Sequence, residues 1–295
     1  MFYEEKNMNY MGEIFKDLRT SRKISLKEAT GGKFSYSMLS KFENGESDIT
    51  ISKLLIALEN IDTELAEFVY LVRGFQPTAY DALKASIWDA RNKRDLSLLQ
   101  KMHQNEMNEY EIHKKDSHLL KALIIKGHMC LFDDNVEISD QELKFLYDYL
   151  FFIDIWGEFE LKLFSDVATL LPLDLYFQYT REMLQKADFL GDLRKNKNYI
   201  HTILLNGLFK SINEKKLSKA AYFDKQIKNH FFEENDSYLR IVYMFADGQH
   251  DCIKGDKENG IKKMETSVEI LEHLNCTDSA EYYLNSMKHW LKTVE

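Results

Sequence analysis

The sequence predicts an all-α protein in which a five-helix module with a helix-turn-helix motif precedes a longer TPR-like α-solenoid. Apolar residues recur at helical spacing from residue 11 to the end of the 295-residue chain. Near the amino terminus, two predicted helices meet at a Gly31-Gly32 turn. Pro77, one of only two prolines, separates this module from a series of longer helices.

The first two helices of the module are predicted from an apolar face and a capping pattern. Ile14, Phe15 and Leu18 lie on one side of the first helix. Ser25 is the expected N-cap of the second helix, and Glu28, three residues later, completes a capping box. These features predict two short helices packed against a common core.

The third helix is the candidate DNA-reading element. Gly31-Gly32 ends the second helix and lets the chain turn sharply, and Ser35 is the expected cap of the third. Met38, Leu39 and Phe42 face inward at helical spacing. The outer side chains, which we predict to contact base edges, are Ser35, Tyr36, Ser37, Ser40 and Lys41.

Two further short helices complete the module. Asn44-Gly45 ends the third helix, and apolar patterns follow near Ile51–Leu58 and Glu64–Val72. Thr50 and Thr63 are their expected caps. Five short helices in about 60 residues is the size of a compact DNA-binding domain.

Basic charge is concentrated in this module. From Lys16 to Lys41 there are seven basic and two acidic residues, a balance of +5, whereas the whole chain carries −9. A basic patch on one small domain is typical of DNA binding, because the ligand is a dense line of phosphates. Ordinary solvated lysines are the alternative, and the capped turn favours DNA. The predicted phosphate contacts are Arg19, Arg22, Lys23, Lys27, Lys33 and Asn44.

The same residues resemble a known family. Ser37 to Gly45 is similar to the SxxSxxExG core of XRE/Cro-type, lambda-repressor-like domains, and the longer run from Gly12 to Gly45 more closely resembles Rgg/GadR/MutR regulators. The turn is about one residue shorter than the general pattern, and Ser25-Leu26 stand where many members carry a glutamine. The resemblance implies a transcriptional regulator whose TPR-like domain dimerises and binds a short imported peptide pheromone.

We therefore divide the chain into an arm (1–10), a DNA-binding domain (11–72), a linker (73–78) and a helical-repeat domain (79–295) for regulation, dimerisation and peptide binding. Eleven helices are predicted in the last of these, near Ala79–Asn92, Asp95–His113, Ser117–Phe132, Asp140–Asp154, Glu158–Leu170, Leu173–Phe189, Lys197–Ile212, Lys215–Phe232, Tyr238–Lys254, Lys257–Leu274 and Ser279–Thr293. Stacked helix hairpins of this length suit the binding of an extended peptide.

Polar residues on otherwise apolar helices are the candidate peptide contacts. An asparagine can donate and accept toward a peptide backbone, and an arginine can hold a carboxylate. The alternative is that Asn206 satisfies a loop carbonyl and that Arg240 is a surface residue. The candidates are Asn198, His201, Asn206, Asp236, Arg240 and Tyr243.

Several functional classes are not expected. Cys130, Cys252 and Cys276 are interpreted as buried thiols. The His128-Met129-Cys130 and His250-Asp251-Cys252 runs lack a second pair at metal-site spacing, so no metal site and no cofactor are predicted. Neither a phosphate loop nor a nucleophile elbow occurs, so no catalytic residues and no enzyme are predicted.

Two further features of the sequence predict the cellular compartment of the protein. Residues 1–10 carry no apolar run, and no apolar stretch reaches about 18 residues, so we expect a cytoplasmic protein without a membrane partner. The aromatic stretch Phe145–Trp156 is interpreted as a core helix or a dimer face.

Two functional hypotheses remain. In the first, a homodimer reads a roughly palindromic promoter in double-stranded DNA and a short peptide switches it. In the second, the helical repeats form a protein-interaction scaffold, and the helix-turn-helix is a tether or dimer contact. Residues 76–295 carry 29 basic and 36 acidic side chains, a net −7 that suits a sensor and a scaffold equally.

Overall fold

The computed structural model describes residues 7–133, 135–186 and 194–294. Within these ranges the chain forms sixteen α-helices and no strand, which confirms the all-α prediction. None of the described helices is long and apolar enough to cross a membrane. The helices are α1 (Asn7–Ser21), α2 (Leu26–Thr30), α3 (Tyr36–Glu43), α4 (Ile51–Glu59), α5 (Leu65–Val72), α6 (Ala79–Asn92), α7 (Leu96–His113), α8 (Asp116–Met129), α9 (Asp140–Phe151), α10 (Glu158–Asp166), α11 (Leu173–Lys186), α12 (Arg194–Asn213), α13 (Leu217–Asn229), α14 (Ser237–Lys254), α15 (Lys257–His273) and α16 (Thr277–Val294).

The chain divides into two compact units, Met1–Ser86 and Ile87–Glu295. This division lies inside α6, after the predicted linker at 73–78. The predicted helix Leu173–Phe189 is described as far as Lys186, and its last residues lie outside the described ranges.

The first unit contains a five-helix module, α1 to α5, that is closed over a small core. α1 packs on α3 and α5, and α2 packs on α3 and α4. Phe15, Leu39 and Phe42 lie in this core and are at most 4% exposed. α1 and α3 approach so closely that a Cβ atom at Gly12 would lie 1.9 Å from the carbonyl oxygen of Phe42. The third helix is therefore held rigidly against the first.

The predicted caps of the helix-turn-helix are confirmed. Ser25 and Glu28 form a reciprocal capping box, and Gly31 ends α2 in the left-handed conformation with φ +55°. Ser35 caps α3 by accepting a hydrogen bond from the backbone N–H of Ser37 at 3.2 Å. The Thr63 cap is wrong, because α5 begins one residue later, after Glu64.

The second unit is built from successive helix pairs. α7 packs on α8, α12 on α13, and α14 on α15. α8, α10, α12 and α14 also contact one another in that order, and α16 packs on α15. One layer of alternate helices thus forms a continuous surface within this unit.

The aromatic stretch before α10 confirms its expected role in the core only in part, and its role as a dimer face stays a prediction. Trp156 is completely buried and its ring centroid lies 5.4 Å from that of Phe164 in α10. Phe151, Phe152 and Ile155 are exposed. The segment therefore contributes to the core on one side and leaves an apolar surface on the other.

Candidate nucleic-acid interface and ligand cavity

The outer face of α3 presents polar side chains to solvent. Tyr36 is 63% exposed, Ser35, Ser37 and Lys41 are exposed, and Ser40 is half-buried. The helix is anchored from beneath, since Leu39 and Phe42 are buried. Hydroxyl and ammonium groups on one rigid helix can donate to base-edge acceptors in a major groove.

Most of the predicted phosphate contacts are available to a ligand. Arg22, Lys23, Lys27 and Lys33 are exposed, and all lie on or beside α2. Asn44 is exposed at the end of α3 and accepts a hydrogen bond from Lys16 Nζ at 3.2 Å. The structure thus leaves these five side chains on the surface of the module.

Arg19 has a different role from the predicted phosphate contact. It is 8% exposed, and its Nε and one terminal nitrogen donate to the two carboxylate oxygens of Glu43, both at 2.7 Å. Its other terminal nitrogen donates to the carbonyl oxygen of Ile24 at 2.6 Å. Because this guanidinium is used inside the fold, Arg19 joins α1 to α3 and is not a surface cation. Glu43, the acid of the SxxSxxExG motif, needs this partner because it is 2% exposed.

A cavity of about 970 Å³ lies within the second unit. Its walls come from the end of α6 and from α8, α10, α12, α14 and α16. Four of these helices, α8, α10, α12 and α14, pack on one another in that order. Leu205, Phe209, Val242 and Trp290 contribute apolar wall. An apolar cavity with a few polar groups is the usual form of a site for a small ligand.

Three of these helices carry a glycine at a close helix–helix approach. A Cβ atom at Gly127 would lie 2.7 Å from the carbonyl oxygen of Asp166, and one at Gly248 would lie 2.6 Å from that of Gly260. At Gly207 it would lie 2.2 Å from the ring of Phe223. The polar residues next to these glycines, which all line the cavity, are His128, Asn206 and Gln249.

Cationic groups in the cavity wall are poorly solvated. Burial lowers the pKa of Arg91, whose guanidinium lies 5.6 Å from the ring centroid of Trp88. Burial also lowers the pKa of Lys210. The wall carboxylate Asp166 lies 3.8 Å from His128 Nε2. Desolvated cations in a cavity favour an anionic ligand group.

Gln249 is a buried polar group of the wall that is only partly satisfied. The residue is 2% exposed, and its Oε1 has no hydrogen-bond donor among the described residues. Buried amide oxygens usually have a partner. The backbone N–H groups of an extended peptide are the type of donor that this oxygen lacks.

Of the six predicted peptide contacts, only Asn206 lines the cavity. Its Nδ2 also donates to the carbonyl oxygen of Ser165 at 3.3 Å, so it satisfies a carbonyl as well. Asn198 is exposed and lies outside the cavity wall. His201 is buried, and its Nε2 donates to the carbonyl oxygen of His230 at 2.8 Å.

The three candidates near α14 lie on a different stripe from the cavity. Asp236 accepts from the backbone N–H of Glu233 at 3.2 Å, and Arg240 donates to the carbonyl oxygens of Phe232 and Glu233. Tyr243 is buried and donates to Asp224 at 2.6 Å. They therefore organise the connection between α13 and α14. The residues of this helix that line the cavity are Tyr238, Leu239, Val242, Gln249 and Ile253.

Sequence reasoning missed Gln249, His128, Arg91 and Lys210. The available signal was the pairing of a glycine with a polar residue in an apolar helix, as in Gly127-His128 and Gly248-Gln249. No such signal marks Arg91 or Lys210, because only the packing of separate helices brings them together.

One comparison with known proteins concerns the second unit of the chain. A family model described as "HTH-type transcriptional regulator Rgg, C-terminal domain" matches residues 97–285, more than half of the chain.

Solved structures share the fold over nearly the whole chain. The Streptococcus dysgalactiae SHP pheromone receptor Rgg2 is 22% identical, with a TM-score of 0.76 and coverage of 94% of this chain and 99% of that chain. A candidate transcriptional regulator from Listeria monocytogenes EGD-e is 20% identical, with a TM-score of 0.80 and coverage of 97% and 98%. PrgX in its complex with iCF10 is 16% identical, with a TM-score of 0.70 and coverage of 94% and 95%.

Proposed function

From the premise that this chain belongs to the Rgg family of HTH-type transcriptional regulators, we propose that it binds promoter DNA as a homodimer and that a short peptide switches this activity. The observation that carries the DNA-binding part is the outer face of α3, a capped helix with a buried underside and exposed hydroxyl and ammonium groups. We place the activity in the cytoplasm, where promoter DNA is found.

The proposed contacts divide into two kinds. Arg22, Lys23, Lys27, Lys33 and Asn44 hold the phosphates and set the position of the domain on DNA. The base-reading side chains are Ser35, Tyr36, Ser37, Ser40 and Lys41. A single helix of eight residues offers few base contacts, so two-fold symmetry and a roughly palindromic promoter supply the second half-site.

The cavity of the second unit is the proposed peptide site. The Rgg2 structure is described as that of a pheromone receptor, and PrgX is seen with iCF10 and with cCF10. In this chain the apolar wall suits aliphatic or aromatic side chains, and Asn206 and Gln249 suit a peptide backbone. Arg91 and Lys210 suit a carboxylate, either the free carboxyl terminus or an acidic side chain.

The DNA proposal is tested by a gel shift with the region upstream of the chain's own gene. Lys41→Ala is expected to weaken binding about tenfold or more, and binding should weaken steeply with salt. Lys225→Ala, a change at an exposed lysine on α13, is the matched control and should leave binding unchanged. Equal binding by the two variants would remove α3 from the interface.

The peptide proposal is tested with short apolar synthetic peptides, each prepared with a free and with an amidated carboxyl terminus. The free-acid form should bind more tightly, and Lys210→Ala should reduce this difference. Lys262→Ala, at an exposed lysine of α15, should not. If the chain binds a partner protein but neither DNA at low salt nor any peptide, the scaffold hypothesis is favoured.

A further inference from the structure

Three potential metal ligands meet on the side of α14 that faces α13. Asp224 belongs to α13, and Asp247 and His250 lie three residues apart on α14. Their donor atoms all lie within 4.8 Å of one another. Residues three apart on a helix lie on the same side, so α14 supplies two ligands toward the one from α13.

The buried environment of the His250 imidazole points to a bound ligand. It is 1% exposed, and neither of its ring nitrogens has a hydrogen-bond partner among the residues that the structure describes. A buried imidazole normally donates through one nitrogen and accepts through the other. An imidazole nitrogen without such a partner is a suitable ligand for a transition-metal ion.

The two carboxylates are already oriented by their neighbours. Asp224 accepts hydrogen bonds from Tyr243 Oη at 2.6 Å and from Lys228 Nζ at 2.9 Å. Against the opposing effect of burial, these two bonds lower the pKa of Asp224. Hydrogen-bonded carboxylates of this type are common around metal ions, because the outer partners fix the ligand geometry.

In the structure, Lys228 and Lys263 donate hydrogen bonds to the two carboxylates that a metal ion would bind. The Lys228 side chain is 57% exposed and can turn into solvent when an ion binds Asp224. Lys263 Nζ donates to both Asp247 and Asp251, each at 2.6 Å. If Asp247 coordinates a metal ion, Lys263 can still donate a hydrogen bond to Asp251. Neither lysine would be left buried without a partner.

We propose that Asp224, Asp247 and His250 form a site for a divalent transition-metal ion, Zn²⁺ or Mn²⁺, that joins α13 to α14. One imidazole nitrogen with two carboxylate oxygens favours these ions over Mg²⁺ and Ca²⁺, which prefer oxygen ligands alone. None of the three ligands lines the cavity, so the proposed metal site is separate from the proposed peptide site.

The test uses the full chain after treatment with a chelator. Equilibrium dialysis against Zn²⁺, Mn²⁺ or Mg²⁺ at neutral pH, followed by element analysis, should show a single bound Zn²⁺ or Mn²⁺ per chain and no retained Mg²⁺. The bound ion should also raise the unfolding temperature, because it binds only the folded state.

The variants separate this site from adventitious binding. Asp247→Asn and His250→Gln should each weaken the affinity by about tenfold or more. Glu258→Gln is the matched control and should leave the affinity unchanged, since Glu258 is an exposed carboxylate of α15 outside the three-residue cluster. Absence of Zn²⁺ and Mn²⁺ binding would overturn the proposal, as would affinity that Asp247→Asn leaves unchanged. Asp247 is half-buried, so its variant remains informative if His250→Gln does not fold.

Discussion

The outer face of α3 and the cavity of the second unit are the two proposed binding sites, and they are built differently. α3 is one segment of eight residues, and most of its predicted base-reading side chains are exposed above a buried anchor. The cavity collects side chains from six helices, and Gln249 in its wall is nearly inaccessible to solvent. A site on one helix depends on the buried residues that anchor the helix to the core, whereas a site shared by several helices depends on how those helices pack together.

The same contrast holds within α14. Its cavity stripe includes Gln249, whose carbonyl oxygen has no hydrogen-bond partner among the described residues. The neighbouring stripe carries Arg240, which donates to the carbonyl oxygens of Phe232 and Glu233, and Tyr243, which donates to Asp224 of α13. A polar residue on an apolar helix is therefore a stronger candidate for a ligand contact when some of its hydrogen-bonding groups are not used within the fold.

Removing the support of α3 should have the largest effect. Glu43→Ala leaves Arg19 buried without its carboxylate and should lower the free energy of unfolding by about 3–5 kcal/mol. Hydrogen exchange of the α1 and α3 amides measures this locally. Glu59→Ala, at an exposed carboxylate that ends α4, should change exchange very little. Equal exchange in both variants would mean that the buried pair does not anchor α3.

A smaller loss is expected from disturbing the approach of α1 to α3. Gly12→Ala places a methyl group against the backbone carbonyl of Phe42, and the overpacking should cost about 1–3 kcal/mol. Gly157→Ala is a suitable comparison, because its added carbon would meet only the movable carboxylate end of Glu160. Thermal unfolding of both variants checks the difference, and a stabilised Gly12→Ala would contradict the close approach.

A substitution in the cavity wall should preserve or raise the stability of the chain, in contrast to the two substitutions in the first unit. Gln249→Leu removes an unpaired buried carbonyl oxygen, so the chain without ligand should keep its stability or gain up to about 1 kcal/mol. Affinity for a bound peptide should fall by about tenfold, since a hydrogen bond is lost. Urea unfolding and peptide titration give the two values. A loss of stability without any change in affinity would show that Gln249 is only structural.

The smallest effect is a dependence of stability on pH. Burial lowers the pKa of His201 below its ordinary 6.5, so the unfolded chain binds a proton there more readily than the folded chain. Stability from this residue is complete above the unfolded pKa and is lost as the pH falls below it. His201→Gln should flatten the slope of unfolding temperature against pH. An unchanged slope would mean that His201 contributes nothing to it.

The local features of the first unit were predictable from short stretches. The capping box of Ser25 and Glu28, the Ser35 cap and the buried Leu39 and Phe42 all follow from spacing, because caps and helix faces depend on residues within one or two turns. The prediction that Arg19 contacts phosphate shows the limit of inference from local spacing. Its partner Glu43 is remote in sequence, and a basic residue carries no local mark of being buried.

By itself, the sequence determined the all-helical class, the order of the helices and the exposed face of α3, since each depends on neighbours along the chain. Tertiary packing alone decided which stripe of α14 faces the cavity, that Arg91 and Lys210 share its wall, and that Asp224 meets His250. The physical reason is that helical periodicity identifies the faces of a helix, but contacts with other helices decide what each face touches.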